Sequence, residues 1–202
     1  MSLFGKDYDQ VQVGGDFRSL PGGGYVCRIL KAQKGETSTG LPRIEVIVDI
    51  SDGEFKGYFQ GLYRDRMATD PNAKYPYNGV LRITTVDEEG HTKKNFKSFV
   101  TAVEKSNECE LPKNSDDAFL KSLKDKTVGV LYQREEYMGN DGKPHWSTKP
   151  KWFRDTDTIE SGNFEIPKDV PLDNYEVGGF AEETSIGADT FNAAMDDIPF
   201  GG

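Results

Sequence analysis

The chain has few of the residues that build disulfide frameworks and metal sites. Its 202 residues include two cysteines, Cys27 and Cys109, and two histidines, His91 and His145. Two distant cysteines cannot form the dense disulfide framework of a small secreted domain, so we expect reduced thiols, with Cys27 buried in a strand. The four residues show none of the paired spacings that bind Zn²⁺, so the sequence predicts no metal site and no cofactor.

Long apolar stretches and catalytic signatures are also missing. No run of 18 apolar residues occurs, and residues 1–6 lack the apolar stretch of a signal peptide, so we expect a cytoplasmic protein that does not cross a membrane. The glycines at 22–24 are not followed by Lys-Ser or Lys-Thr, which excludes a phosphate-binding loop there. No nucleophile motif is present, and His145 beside Trp146 is typical of a packing or stacking residue. The sequence therefore favours a binding protein over an enzyme.

Acidic residues concentrate towards the C-terminus. Residues 160–202 contain ten Asp and Glu and one Lys, so this segment carries a net charge of −9, equal to that of the whole chain. Residues 1–159 contain 24 basic and 24 acidic residues. Like charges interspersed with glycine and proline repel one another and bury no core, so we predict a flexible acidic interaction tail. The alternative is a tail that serves solubility alone.

The tail carries a short apolar motif behind two carboxylates. Its residues are Asp196, Asp197, Ile198, Pro199 and Phe200, and two glycines follow them. A stiff apolar plug beside negative charges fits a shallow pocket with a basic rim. The motif resembles the Asp-Asp-Ile-Pro-Phe ending of bacterial single-stranded-DNA-binding proteins. The resemblance implies that these five residues recruit replication, repair or recombination proteins.

Alternating apolar residues predict strands in the body of the chain. Residues 25–34 and 43–50 have strand patterns, and in the second Ile44, Val46, Val48 and Ile50 share one face. A tight turn leads into residues 57–64, which we predict as the third strand of a meander. Residues 126–137 and 146–154 are predicted to form a hairpin around a turn at 139–142.

The connection between these two groups predicts the fold class. Residues 65–94 contain loop chemistry and are predicted as an insertion, in which 80–86 form a short strand or an extended connection. Apolar residues at 96, 99, 100 and 103 predict an amphipathic helix capped by Asn95, and a second helix is predicted to begin at Ser115. Five strands with a helix between the third and fourth is the order of the OB-fold barrel, which we predict for residues 21–159, after an N-terminal arm at 1–20. The alternative is a parallel βαβ sheet.

Basic and aromatic residues alternate in three segments. Residues 25–34, 56–66 and 142–154 hold ten basic residues, one acidic residue and seven aromatic rings. Cations neutralise phosphates and flat rings stack on bases, so this composition predicts a site for single-stranded DNA. We assign to this site Arg43 of the second strand and twelve residues of the three segments. These are Arg28, Lys31, Lys34, Tyr58, Tyr63, Arg64, Arg66, Lys143, Trp146, Lys149, Lys151 and Trp152.

Part of this composition has a structural explanation as well. About half of the aromatic rings are expected in the core, and strand-edge lysines and arginines also prevent aggregation. Adjacent strand residues point to opposite faces, so in each of the pairs 58/59 and 152/153 one ring should be buried. We predict that Tyr58 and Trp152 face outward, because their polar groups tolerate water.

The body resembles a family of phage-encoded single-stranded-DNA-binding proteins. The similar motifs are GYV at 24–26, GEFKGYF at 53–59, VGV at 128–130, REEY at 134–137 and WSTKPKWFR at 146–154. The resemblance implies an OB barrel that acts without catalysis in replication or recombination of phage or prophage DNA in a bacterial host cell. The main alternative is a protein–protein adaptor with a solubilising tail. An acidic mimic of DNA is disfavoured because the body is neutral.

Overall fold

Five antiparallel strands form the central sheet of the protein. The computed structural model describes residues 19–172. The strands are β1 (Gly23–Glu36), β2 (Pro42–Ile50), β3 (Val80–Thr84), β4 (Thr127–Met138) and β5 (Pro144–Arg154). Their order across the sheet is β3-β2-β1-β4-β5. The prediction of a mainly β protein with five strands is confirmed.

Helices in the described part of the chain pack against this sheet. They are α1 (Tyr58–Thr69), α2 (Lys94–Ser106), α3 (Asp116–Ser122) and α4 (Thr156–Glu160), and a 3-10 turn at Tyr77–Gly79 leads into β3. Both α2 and α3 lie between β3 and β4 in the chain, as the sequence predicts for a helix after the third strand. None of the helices within residues 19–172 is long and apolar enough to cross a membrane.

Strand β2 follows its predicted pattern. Ile44, Val46, Val48 and Ile50 are buried in one core cluster with apolar residues of β1, β3 and β4. The residues between them include Glu45 and Asp49, which are buried as well because further structure covers the other face of this strand. The alternation therefore identified the strand and its core face but not the second covering layer.

Residues 57–64 form a helix, which corrects the prediction of a third strand there. Phe59, Tyr63 and Met67 are spaced by four residues in α1 and pack on the core cluster. The Asp49 carboxylate at the end of β2 accepts hydrogen bonds from the backbone N–H groups of Phe59 (2.9 Å) and Gln60 (3.4 Å). It thereby caps the first turn of a helix whose own N-cap, Gly57, offers no side chain. The third strand is instead β3, inside the segment predicted as an insertion.

Helices α2 and α3 differ in how well their starts were predicted. The apolar face of α2 is buried as expected, with Phe99 edge-on to Phe153 of β5 at a centroid distance of 5.2 Å. Asn95 lies inside the first turn of α2 rather than at its cap, so that prediction is wrong. In α3 the predicted start is confirmed, because Ser115 is the N-cap and its hydroxyl accepts a bond from the Ala118 N–H at 3.4 Å.

The folded body continues past the predicted start of the tail at residue 160. The Val170 N–H donates to the Arg134 carbonyl (2.9 Å), and the Val170 carbonyl accepts from the Glu136 N–H (2.8 Å). The Leu172 N–H donates to Glu136 Oε2 at 3.0 Å. We call residues 168–172 the C-terminal strap, since they pair in parallel with the end of β4. Residues 160–172, predicted as part of the tail, therefore belong to the folded body.

The two cysteines carry free thiols. Cys27 is buried in the core cluster, as the sequence predicts, and Cys109 is half-buried. Burial raises the pKa of the Cys27 thiol far above its ordinary value, so this thiol stays protonated. No cluster of metal-ligating side chains occurs within residues 19–172.

Candidate nucleic-acid interface

A groove of about 990 Å³ opens between helix α1, the loop that precedes β3, and the β4–β5 hairpin. Tyr58 and Arg66 line it from α1, Lys74 and Tyr77 from the loop, and Trp146 from β5. We call it the aromatic groove. It places Tyr58, Arg66 and Trp146, three of the residues predicted from sequence, around one cavity.

The groove collects most of the exposed aromatic rings in the described part of the chain. Four aromatic side chains there are strongly exposed: Tyr77 (57%), Tyr137 (44%), Trp152 (42%) and Trp146 (40%). Three of the four, all except Trp152, line the aromatic groove. Exposed rings lose favourable burial unless something else covers them, so their concentration in one cavity indicates a surface for flat apolar ligands.

Arginine side chains cover two of these rings. The Arg82 guanidinium lies 4.1 Å from the centre of the Tyr77 ring and also donates to the Tyr77 carbonyl at 3.3 Å. The Arg134 guanidinium lies 4.6 Å from the centre of the Trp146 ring and forms an ion pair with Asp169 at 3.2 Å. These contacts orient the rings and place positive charge beside them.

The lining itself is electrically balanced. Arg66 and Lys74 are opposed by Asp65 and Asp70, so cations and carboxylates are equal in number there. One oxygen of Asp70 accepts a bond from the Asn72 N–H at 2.9 Å. The arginines that stack on the rings also lie near carboxylates, with Arg134 at 3.2 Å from Asp169 and Arg82 at 4.0 Å from Glu45.

The two walls of the groove are joined by Asn78. Its side-chain amide donates to the Ser147 hydroxyl of β5 at 3.2 Å, and its carbonyl accepts from the Tyr132 hydroxyl of β4 at 3.2 Å. Next to it, a Cβ on Gly79 would lie 2.6 Å from the Tyr75 ring and 2.9 Å from the Phe59 ring. The loop before β3 thus approaches the core too closely for any side chain but hydrogen at this position.

The orientation predicted for the pair 152/153 is confirmed, whereas in the pair 58/59 only the burial of Phe59 is confirmed, because Tyr58 also packs against the core cluster. Phe59 and Phe153 are buried, whereas Tyr58 is half-buried at the groove and Trp152 is exposed. Tyr58 packs edge-on against Phe59 with ring centres 5.2 Å apart, and partial burial raises the pKa of its hydroxyl. Tyr58 and Phe59 are adjacent residues of a helix, α1, and not of a strand.

Two of the predicted DNA-binding residues are committed to the protein itself. Tyr63 is 7% exposed and packs against Tyr75 at a centroid distance of 5.4 Å, so it belongs to the core and is not available for stacking. Arg43 lies 2.7 Å from Glu45, and both side chains are almost fully covered. Gln33 and Arg82 also contact Glu45, so Arg43 belongs to a covered polar cluster on β1, β2 and β3.

The remaining predicted residues lie outside the groove. Lys34 pairs with Asp116 at 2.8 Å on the surface, where such a pair stabilises little. Lys149 and Lys151 approach Glu135 at 2.9 Å and 3.8 Å. The others are spread over separate surfaces, with Lys31 half-buried and with exposed side chains at Arg28, Arg64 and Lys143.

A β-bulge separates the two tryptophans. Leu131 pairs with Trp152 and Tyr132 pairs with Pro150, so Lys151 has no partner across the hairpin. Trp146 pairs with Glu136, which lies five positions after Leu131 in β4. Paired residues share a face and successive residues alternate, so Trp146 and Trp152 face opposite sides of the sheet. The single aromatic and basic surface expected from sequence is therefore divided in two.

Sequence reasoning missed Tyr77, Tyr137, Lys74, Arg82 and Arg134. Tyr77 lies in a proline- and glycine-containing loop, where an aromatic residue has little chance of burial, and this was a usable signal. Nothing in the local pattern indicated that this loop meets the β4–β5 hairpin 69 residues later in the chain. The five residues of the tail motif, 196–200, lie outside the described residues.

No protein-family model matches this chain, and no curated protein matches it.

Proposed function

We propose that the protein binds single-stranded DNA in the aromatic groove and acts as a binding protein without catalysis. The observation that carries the proposal is the clustering of exposed Tyr77, Tyr137 and Trp146 in one cavity, with guanidinium groups on two of the rings. Every base has a flat face, so stacking on such rings contributes about 1–3 kcal/mol per base without reading sequence. In this proposal Arg66, Lys74 and the two arginines that stack on the rings bind the phosphates.

The chain topology is compatible with an OB barrel as the scaffold. The strand order β3-β2-β1-β4-β5 pairs the first strand with both the second and the fourth, and α2 follows the third strand. The Asn78 bonds to Ser147 and Tyr132 bring the start of β3 towards β5, the pair of strands that would close such a barrel. In this proposal the protein serves phage or prophage replication or recombination, and its acidic tail recruits partner proteins.

A protein–protein adaptor is the second candidate. The balance of Arg66 and Lys74 against Asp65 and Asp70 favours it, since nucleic-acid sites are generally richer in cations. The two candidates differ in salt dependence, because only DNA binding releases counterions from a phosphate backbone.

Fluorescence titration of the full chain with poly-dT and with duplex DNA at two salt concentrations tests the proposal. We expect tighter binding of poly-dT, weakened by salt, and a loss of roughly 1–3 kcal/mol in the variants Tyr77→Ala and Trp146→Ala. Ile166→Ala is the matched control, because Ile166 is exposed but lies outside the groove lining. Equal affinity for both DNAs, or equal losses in the groove variants and the control, would refute the proposed function.

A further inference from the structure

Trp152 is an exposed ring that the aromatic groove leaves unexplained. It points to the opposite side of the sheet from Trp146 because of the bulge at Lys151. Within residues 19–172 the other exposed large apolar side chains outside the groove are Met138 and Ile166. A single ring is too small an apolar area for a protein-docking patch, so its exposure needs another cause.

Two cations flank this ring in the sequence of β5. Lys151 precedes Trp152 and Arg154 lies two residues after it, and both side chains are exposed. Glu135 is the carboxylate that contacts Lys149 and Lys151, so the lysines outnumber it by two to one. Asp155, next to Arg154 in the sequence, caps α4 by accepting from the Thr158 N–H at 2.9 Å, and these bonds lower its pKa, so it keeps its negative charge. A ring between cations is the arrangement that stacks a base and neutralises its phosphate.

The edge of β5 connects the two faces. β5 is the last strand in the sheet order, and Pro150, which has no N–H to donate, lies in its middle as edge strands allow. Lys149 and Lys151 stand on either side of Pro150, between Trp146 and Trp152 in the strand. Lysines that only guard an edge against aggregation would account for the charges but not for an exposed indole ring beyond them.

We propose that a bound single strand leaves the aromatic groove at Trp146, crosses the edge of β5 past Lys149 and Lys151, and stacks further bases on Trp152. This second contact rests on the proposed function and extends it. Trp146 and Trp152 are six residues apart, about 20 Å along a strand that rises about 3.3 Å per residue. A short oligonucleotide that fills the groove therefore cannot reach Trp152, whereas a longer one can.

The chain contains two tryptophans, so each face has its own fluorophore. In full-length Trp152→Phe, emission reports the groove, and in full-length Trp146→Phe it reports the second face. Both are titrated with oligo-dT of about 4 to 16 nucleotides, the range that single OB modules cover. We expect every length that binds to quench Trp146, and only the longer ones to quench Trp152, at one oligonucleotide per chain.

Affinity provides a second readout that needs no tryptophan change. We expect Lys151→Glu in the wild-type chain to weaken the binding of long oligo-dT by roughly 5- to 150-fold. The reversed charge repels the strand on its way to Trp152, so the equivalent of one stacked base is lost, whereas the affinity for short oligo-dT is unchanged. Lys121→Glu, an exposed lysine of α3, is the matched charge control and is expected to change neither.

Each other outcome overturns the proposal in a distinguishable way. Quenching of Trp146 with constant emission from Trp152 at every length refutes the second contact and leaves the groove as the binding site. Quenching of Trp152 by the shortest oligonucleotide, or only at two oligonucleotides per chain, shows independent sites and refutes the continuous path. Absence of binding at all lengths refutes the proposed function together with its extension.

Discussion

Asp49 is the residue that holds one wall of the aromatic groove in place. Its Oδ1 accepts backbone N–H bonds from Ile50 (3.0 Å), Phe59 (2.9 Å) and Gln60 (3.4 Å). Burial raises the pKa of this carboxyl, although these bonds and the nearby Arg28 act in the opposite direction. The side chain therefore stabilises α1 through its bonds while its charge is poorly solvated.

Two substitutions of Asp49 should distinguish the contribution of its hydrogen bonds to stability from the contribution of its charge. Asp49→Ala removes the cap and leaves buried N–H groups without an acceptor, so we expect it to lower the free energy of unfolding by about 1–2 kcal/mol at pH 7. Asp49→Asn keeps an oxygen acceptor without the charge and should lose less than Asp49→Ala at pH 7. Urea unfolding curves of the two variants and the wild type provide the measurement, and equal losses in both variants would contradict the capping role.

The pH dependence has a definite sign. A carboxyl whose folded pKa is raised binds protons more tightly in the folded state, so its stabilising contribution is present below the unfolded pKa of 3.8 and is lost as pH rises through the folded pKa. We expect the wild type to gain stability relative to Asp49→Asn as pH falls from 7 towards 4. Comparison with this variant cancels the carboxyls of Glu104 and Asp155, whose pKa values are lowered and which lose stability in acid. A difference that does not change with pH would refute the assignment.

The burial of a single residue could be predicted from the sequence where it depends on residues adjacent in the chain. Trp152 is exposed and Phe59 and Phe153 are buried, as the polarity of the rings predicts, and Tyr58 is half-buried. Tyr63 could not be placed in this way, because its burial depends on Tyr75, a residue of a separate loop. Arg43 had the same limitation, since its partner Glu45 lies on the same strand face but is covered by side chains from β1 and β3.

At the scale of elements, the periodicity of apolar residues located strands correctly. It failed where contacts with residues distant in the sequence determine the secondary structure. Residues 43–50 and 126–137 alternate as strands and are strands, to within one or two residues. Residues 57–64 contain aromatic residues typical of strands, yet the i, i+4, i+8 spacing of Phe59, Tyr63 and Met67 agrees with the helix that forms. The deciding cap comes from Asp49 in another element, and local pattern carries no information about it.

The sequence pattern also could not predict the bulge at Lys151. Residues 146 and 152 differ by an even number, so a regular strand would put both tryptophans on one face. One extra residue in β5 reverses the face of everything after it. The composition of the candidate site was thus predictable in part, whereas its division between two faces was not.

The C-terminal strap should stabilise the exposed end of the β4–β5 hairpin. Val170→Pro removes the N–H that donates to the Arg134 carbonyl, and we expect it to lower the free energy of unfolding by about 1–3 kcal/mol. The Glu136 amide should then exchange with solvent faster, because its bond to the Val170 carbonyl weakens along with the strap. Hydrogen exchange measured by NMR tests this. Val170→Ala keeps the backbone bond and is the control, and equal exchange of the Glu136 amide in both variants would show that the strap is not held by these bonds.

At the scale of the whole molecule, charge is divided between the body and the segment that follows the strap. Residues 173–202 contain seven Asp and Glu and no Lys or Arg, so a chain that ends at Leu172 would carry −2 of the full −9. The strap ends with Leu172 bonded to Glu136, the residue that pairs with Trp146 at the aromatic groove. Leu172, after which the acidic segment begins in the sequence, therefore lies within one strand pair of the site proposed for DNA.

This placement gives the acidic segment a high effective concentration at the groove and leads to our last prediction. A tethered anion that occupies a site for nine-tenths of the time weakens the apparent affinity of a competitor about tenfold. We therefore expect truncation after Leu172 to tighten binding of oligo-dT by roughly that factor at low salt, and by less at high salt, where both attractions are screened. Phe200→Ala keeps every charge and should leave DNA affinity unchanged, which makes it the control. Truncation at residue 160 is unsuitable, because it also removes the strap that supports β4. If the chain that ends at Leu172 binds oligo-dT no more tightly than the full chain at low salt, the acidic segment does not compete for the groove.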